Sequence, residues 1–146
     1  MTEETEQQTA AREALTAARS ARLDALTKSH RKVGAIEWGT DWIVFRLPSR
    51  DQTREYFRKR EEPAEKPDAL DYLAQATIVA LNEIEDPTAA RIAFTSTFLV
   101  DFPAFTRSLR VINCLHALAG LVTDEEAVDL GKGVEIRSSR KRSPPA

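Results

Sequence analysis

The chain has 146 residues, 42% of them hydrophobic, with a formal net charge of −2 at pH 7; it fits one domain with tails, and its balanced charge gives no global reason to expect nucleic acid or an anionic membrane as partner. A single cysteine, Cys114, excludes an intrachain disulfide and suits a reducing cytosol. The acidic, polar start lacks the parts of a secretory signal and no apolar run approaches a membrane span, so a cytoplasmic protein is expected.

Residues 1–9 are polar and expected to fray. Residues 10–32, rich in Ala and Arg and free of Gly and Pro, predict a helix. Its large apolar residues are Leu15, Leu23 and Leu26, and Leu15 and Leu26 share a face. So thin a stripe buries little, which predicts an exposed arm or a partner-dependent helix. Val33, Ala35, Ile36 and Trp38 then precede Gly39-Thr40-Asp41, and a second β-prone run follows over residues 42–47. This predicts a hairpin with Ile43, Phe45 and Leu47 on one side and Trp42, Val44 and Arg46 on the other. An isolated hairpin is marginal in water, so it must pack on helices or pair with another chain.

Pro48 ends the second strand, and Ser49 with Gln52 has the spacing of a capping box for a helix over residues 50–61, anchored by Tyr56 and Phe57. Pro63 and Pro67 bracket a charged linker. Asp68 is expected to cap a long helix over residues 69–84, apolar on almost every side and hence central to a bundle. Asp86-Pro87 supplies an N-cap with Pro at the first helical position, and the helix that follows carries Ile92, Phe94, Phe98 and Leu99. After Asp101-Phe102-Pro103 a last strong helix holds Phe105, Leu109, Ile112, Leu115, His116 and Leu118, closed by Gly120. Thr123 and Glu126 fit the cap of one further short helix. The expected fold is mainly α with a small β-hairpin (α+β). Residues 1–32 form a polar tail and exposed helix, residues 33–130 a hairpin plus helical bundle, and residues 131–146 a flexible basic tail, disordered beyond about residue 137.

No residue pattern points to catalysis, a metal or a cofactor. His30 ends the first helix beside Lys28, Arg31 and Lys32, where a cation complements the helix dipole. His116 follows Cys114 by two residues, which on a helix places them about 200° apart, unsuited to a shared metal or a nucleophile–base pair. Cys114 reads as a small buried hydrophobe and His116 as a satisfied core or edge residue. The carboxylates of Glu83, Glu85 and Asp86, and of Asp124, Glu125 and Glu126, read as caps and solvated helix ends. Gly131-Lys132-Gly133 lacks the remaining spacing of a phosphate loop.

Two patterns can serve binding. Arg50, Arg54 and Arg58 line one helical stripe, a solvated face unless an acidic partner offsets their repulsion, and Asp51, Glu55, Glu61 and Glu62 are interleaved with them. Phe94, Phe98, Phe102 and Phe105 either fill the core or, in part, line an apolar groove for a partner helix. The tail residues Arg137, Arg140, Lys141 and Arg142 form a short basic run.

The β-run ending in Val44-Phe45-Arg46-Leu47-Pro48-Ser49-Arg50, the short helix with Tyr56-Phe57-Arg58, and the helical half with Phe102-Pro103 and Leu118-Ala119-Gly120-Leu121 together resemble the tail assembly chaperones of long-tailed bacteriophages and prophages. The resemblance covers residues 43–121; the first helix lies outside it. It implies a non-enzymatic role without cofactors in the host cytoplasm: binding a long helical tape measure protein and keeping it soluble until the tail tube forms. It implies the tape measure protein and the tail tube protein as partners, with several copies or a homo-oligomer acting on one client. Two other readings stand beside it. One is a structural virion or oligomeric adaptor protein of the particle, with the hairpin pairing between chains. The other is a nucleic-acid-binding regulator using the Arg50, Arg54 and Arg58 stripe.

Overall fold

The structure, a computed structural model, describes residues 3–102, 104–130 and 133–138. In chain order the elements are α1 (Glu3–His30), β1 (Lys32–Trp38), β2 (Asp41–Arg46), α2 (Arg50–Glu61), α3 (Ala69–Thr77), β3 (Ile78–Leu81), α4 (Pro87–Phe94), α5 (Leu109–Leu118), α6 (Asp124–Leu130) and β4 (Val134–Ser138). A 3₁₀ turn, Lys66–Asp68, leads into α3; a π turn, Thr95–Leu99, continues α4; and a second 3₁₀ turn, Phe105–Arg107, precedes α5. The fold is α+β and mainly helical, as expected. Among the described residues no helix is long and apolar enough to cross a membrane.

The hairpin forms where predicted, with Trp38 paired to Asp41 across Gly39-Thr40. Gly39 has φ of +64°, the conformation that a two-residue hairpin turn needs at its first central position and that glycine adopts without a steric cost. Period-two alternation then sorts the side chains onto two faces. Ile36, Ile43 and Phe45 enter the larger core with the helices, while Val33, Ala35, Trp42 and Val44 face the other way.

The hairpin is half of an antiparallel sheet of order β3-β2-β1-β4, and this corrects two expectations. The helix expected over residues 69–84 stops at Thr77, and Ile78–Leu81 pairs with β2 as β3. All four β3 residues are buried. A continuous apolar run serves a buried strand as well as a buried helix, and here the open edge of β2 decides in favour of the strand. Asn82 ends β3 with φ of +51°, a region asparagine tolerates better than most residues. Its Oδ1 accepts from the Trp42 amide at 2.8 Å and its Nδ2 donates to Asp41 at 2.8 Å, tying the two strands together.

The second correction concerns the tail. Val134–Ser138, expected within a flexible segment, is strand β4 on the outer edge of β1. Its alternation puts Val134 and Ile136 against the core. The rest of that expectation, residues 131–132 and 139–146, with Arg140, Lys141 and Arg142, lies outside the described residues, as do residues 1 and 2; residues 3–9, also expected to fray, form the first turns of α1 instead.

The sheet separates two layers. On one face α3, α4 and α5 enclose Phe45, Tyr56, Leu73, Phe94, Phe98 and Leu115. Helix α5 crosses β1 at Gly34, where an added Cβ would lie 2.6 Å from the Cys114 Sγ, so glycine permits the approach. The other face is covered by the C-terminal part of α1. The arm expected to be exposed is therefore only partly so: Leu23 is 1% exposed and packs with Val33, Ala35, Trp42, Val44 and Val79. Arg22 lies over the Trp42 ring at 4.9 Å, donates to the Asn82 carbonyl at 2.5 Å and pairs with Glu85 at 2.7 Å. Arg137 of β4 donates to the Ser20 carbonyl and pairs with Asp24, both at 2.9 Å or less.

The local caps follow the sequence closely. Ser49 and Gln52 form the reciprocal capping box of α2. The Asp86 carboxylate accepts from the Ala89 amide above Pro87. Gly120, with φ of +82°, closes α5: the Leu121 amide donates to the His116 carbonyl and the Gly120 amide to the Ala117 carbonyl, a Schellman pattern. Thr123 accepts from the Glu126 amide at the start of α6. Asp68 is the exception: it makes no side-chain cap, because the 3₁₀ turn already supplies the first turn before α3.

Candidate functional site

The aromatic series does not form a groove. Phe94, Phe98 and Phe105 are fully buried and in mutual ring contact, with centroids 5.1–5.7 Å apart. Phe45 and Trp38 close the cluster edge-on. Phe102 alone stays substantially exposed, against Phe98 at 5.8 Å. A partner cannot reach the three buried rings without opening the core, so their expected role in partner binding is corrected to packing.

The arginine stripe is divided. Arg58 donates to Glu55 and to Glu65 at 2.8 Å, and Lys59 pairs with the same two carboxylates. These hydrogen bonds hold Glu55 and Glu65 below the usual carboxylate range and raise the Arg58 guanidinium. Arg58 is thereby neutralised within the chain, which weakens the stripe as a surface for an acidic partner or nucleic acid. Arg50 and Arg54 are exposed, with no side-chain ion pair among the described residues.

The two histidines and the cysteine are placed by packing. Cys114 is wholly buried, which pushes its thiol up to about 12 and makes it a poor nucleophile. His116 is half-buried and its Nε2 lies 2.8 Å from the Tyr56 hydroxyl. Burial, with Arg60 nearby, lowers its pKa and favours the neutral ring. His30 lies in the last turn of α1, the position expected of it, where burial and the charge of Arg46 lower its pKa. Among the described residues no group of three His, Cys, Asp or Glu side chains is placed to hold a metal ion.

Two features remain open to partners. The first is α1 itself. Residues 5–18 are exposed throughout, while its anchoring residues cluster from Arg19 to His30. At 1.5 Å per residue the free part extends about 21 Å. Placing residues every 100° around the axis puts Ala10, Ala11, Ala14, Ala17 and Ala18 on one side. Leu23 and Thr27, which dock on the sheet, project from the opposite side, and Leu15 falls on the edge of Leu26, which packs against the sheet cluster, so the five alanines are directed away from the domain.

The second is a pair of clefts beside α2 and α3. The larger, about 640 Å³, has Arg46, Lys59 and Arg91 against Asp68 and Asp71. Its cations are largely committed: Arg46 donates to the Leu47 and Ala76 carbonyls and to Gln52, and Lys59 lies over the Tyr72 ring. The smaller, about 320 Å³, is lined by Tyr56, His116 and Thr106 with Arg60, Lys66 and Arg107, and no carboxylate. Neither cleft was legible in the sequence, because each draws its residues from segments far apart in the chain. No protein-family model matches this chain, and neither a curated protein nor a solved structure matches it.

Proposed function

We propose that the chain is a non-enzymatic binding protein that acts as a tail assembly chaperone of a long-tailed phage or prophage, holding a helical tape measure protein soluble in the host cytoplasm until the tail tube forms. The observation that carries the reading is the half-anchored α1. Its C-terminal part is fixed to the sheet by Leu23, Arg22 and Arg137, and its alanine face over residues 10–18 stands clear of the domain. A long helix without tertiary contacts is marginal in water, and docking against another helix is the ordinary way to stabilise it. Alanine side chains let a second helix approach closely, and several copies along one long client supply the strength that one copy lacks. The segment that resembles the chaperones, residues 43–121, would then serve as the scaffold that holds the arm.

The test is co-expression with a long helical tape measure protein, sought among the products of the neighbouring genes. The client should become soluble and co-purify, and a variant truncated before residue 19 should lose both effects while keeping the circular dichroism of the remaining fold. A client that stays insoluble with the full chain would end the chaperone reading. Retained binding by the truncated variant would move the contact away from α1.

A further inference from the structure

The cleft between α2, the Lys66–Asp68 turn, the Phe105–Arg107 turn and α5 is not used by the reading above. Its floor is apolar, built by Pro67, Ala69, Leu70 and Ile112. Its rim carries Arg60, Lys66 and Arg107, each exposed and without an ion pair among the described residues. No carboxylate lines it: Asp71 accepts from the Thr106 hydroxyl but lines the neighbouring cleft, as does Asp68. Arg60 is held in place by two rings, Tyr56 at 5.5 Å and Phe57 at 5.9 Å. The polar group at the base is the Tyr56–His116 hydrogen bond, 2.8 Å long, with Tyr56 almost wholly buried.

We infer that this cleft binds a small organic carboxylate, its apolar group on the Pro67–Ile112 floor and its charge among Arg60, Lys66 and Arg107. The volume of about 320 Å³ lies at the lower end for small-ligand sites. Three cations with no competing carboxylate supply charge-assisted hydrogen bonds. The hydrogen bond at the base adds a proton-linked element. With an anion present, His116 takes a proton from solvent, its Nε2–H then donates to the Tyr56 oxygen, and the Tyr56 O–H is released as a donor toward the carboxylate. The charged or titratable groups that line the cleft with His116 are Tyr56 and Arg60 from α2 and Lys66 and Arg107 from the two turns; burial and the charge of Arg60 oppose its protonation, and a bound anion would offset that charge.

The experiment is a nuclear magnetic resonance titration of the full chain with benzoate, whose charge is constant between about pH 6 and pH 7.5. Acetate keeps the charge without the ring, and benzyl alcohol keeps the ring without the charge. Benzoate should give saturable shifts at Thr106, Ile112 and His116 with a dissociation constant of about millimolar, as expected of so small a ligand. Acetate should bind at least about tenfold more weakly, and benzyl alcohol should not saturate. The doubly substituted variant Arg60→Gln/Arg107→Gln changes two exposed side chains and should weaken benzoate about tenfold or more. The His116 imidazole should titrate at higher pH with benzoate bound, and benzoate should bind more tightly at pH 6 than at pH 7.5. Absence of saturation, acetate binding as tightly as benzoate, an unaffected double variant, or a His116 titration unmoved by benzoate would each overturn the assignment. None of these outcomes depends on whether α1 holds a client.

Discussion

Leu23 is the residue whose environment differs most from what its sequence context suggests, and it gives a direct test of how α1 is anchored. Its side chain is buried against Val33, Ala35, Trp42, Val44 and Val79. Leu23→Ala removes three carbons and leaves a cavity that the sheet, fixed by its ladder, cannot readily close. Buried Leu→Ala changes cost about 2–5 kcal/mol, and we expect about 3 kcal/mol here. Leu15→Ala is the internal control. It is the same substitution in the same helix, so the change in helix propensity cancels between the two. Leu15 is 47% exposed and outside the cluster that packs on the sheet, so its loss should stay within about 0.5 kcal/mol. In urea, with a denaturant slope of about 2 kcal/mol per molar, Leu23→Ala should lower the midpoint by about 1.5 M. The thermal midpoint should fall by about 10 °C. Fluorescence of Trp42, in a Trp38→Phe background, reports the same contact, because Arg19 and Arg22 lie over that ring at 5.4 and 4.9 Å. If Leu23→Ala and Leu15→Ala shift the urea midpoint equally, α1 is not anchored through Leu23 and its docking on the sheet is wrong.

Other expectations are equally specific. Gly34→Ala sets a methyl 2.6 Å from the Cys114 Sγ and 3.0 Å from the Ile136 Cδ1; it should destabilise by about 1–3 kcal/mol, and Gly34→Ala/Cys114→Ala should recover part of that in a double-mutant cycle read by urea melts. Cys114 in the folded protein should resist thiol reagents and react only as fast as the core opens, so labelling at the rate of an exposed thiol would contradict its burial. His116 and His30 both have pKa values lowered by burial. The unfolded chain therefore binds more protons than the folded one just below the ordinary histidine range. Stability is fully present above that range and falls as pH drops through it toward the folded values, by at most about 1.4 kcal/mol per pH unit for each proton. Urea melts from about pH 7.5 to pH 5 should show the loss, and His116→Gln should flatten the slope. Arg58→Ala, which removes an exposed network only, should leave the urea midpoint essentially where it is at moderate salt.

Features legible in the sequence were those decided over a few residues. The capping box of Ser49 and Gln52, the Asp86-Pro87 start, the Gly120 closure and the Gly39 turn each depend on local geometry that residue type specifies. What escaped depends on partners distant in the chain. Ile78–Leu81 is compatible with helix or strand by itself, and only the edge of β2 selects the strand. Val134–Ser138 carried a readable period of two, Val134 and Ile136 against Glu135 and Arg137, masked by the polar composition around it. Leu23 was one residue in a helix whose mean character is polar, and no pattern of period 3.6 marks a contact that rests on one leucine and two arginines. The phenylalanines illustrate the opposite failure. Their spacing fits a groove or a core equally, and the choice falls to the core because the π turn Thr95–Leu99 carries Phe98 back under Phe105. The carboxylate-free cleft was illegible for a plainer reason: Arg60, Lys66 and Arg107 come from three segments and meet only once the chain has folded.

The placement of the alanine face bears on how any partner of α1 would have to bind. Leu23 and Thr27 occupy the side of the helix that faces the sheet, so a partner helix on the opposite side can dock without releasing the anchor. The alanine face over residues 10–18 is about 14 Å long and about 10 Å wide, or about 270 Å² counting both partners. At about 25 cal/mol per Å² that area is worth about 7 kcal/mol, against about 4–15 kcal/mol lost to association. The two terms nearly cancel, so one copy on one client segment should bind weakly. Retention on a client then requires several copies on the same chain. That requirement has a measurable signature: shortening a helical client from several repeats to one should reduce apparent affinity far more than in proportion to length. An affinity that scales simply with client length would place the energy in a single strong contact, and the alanine face could not supply it.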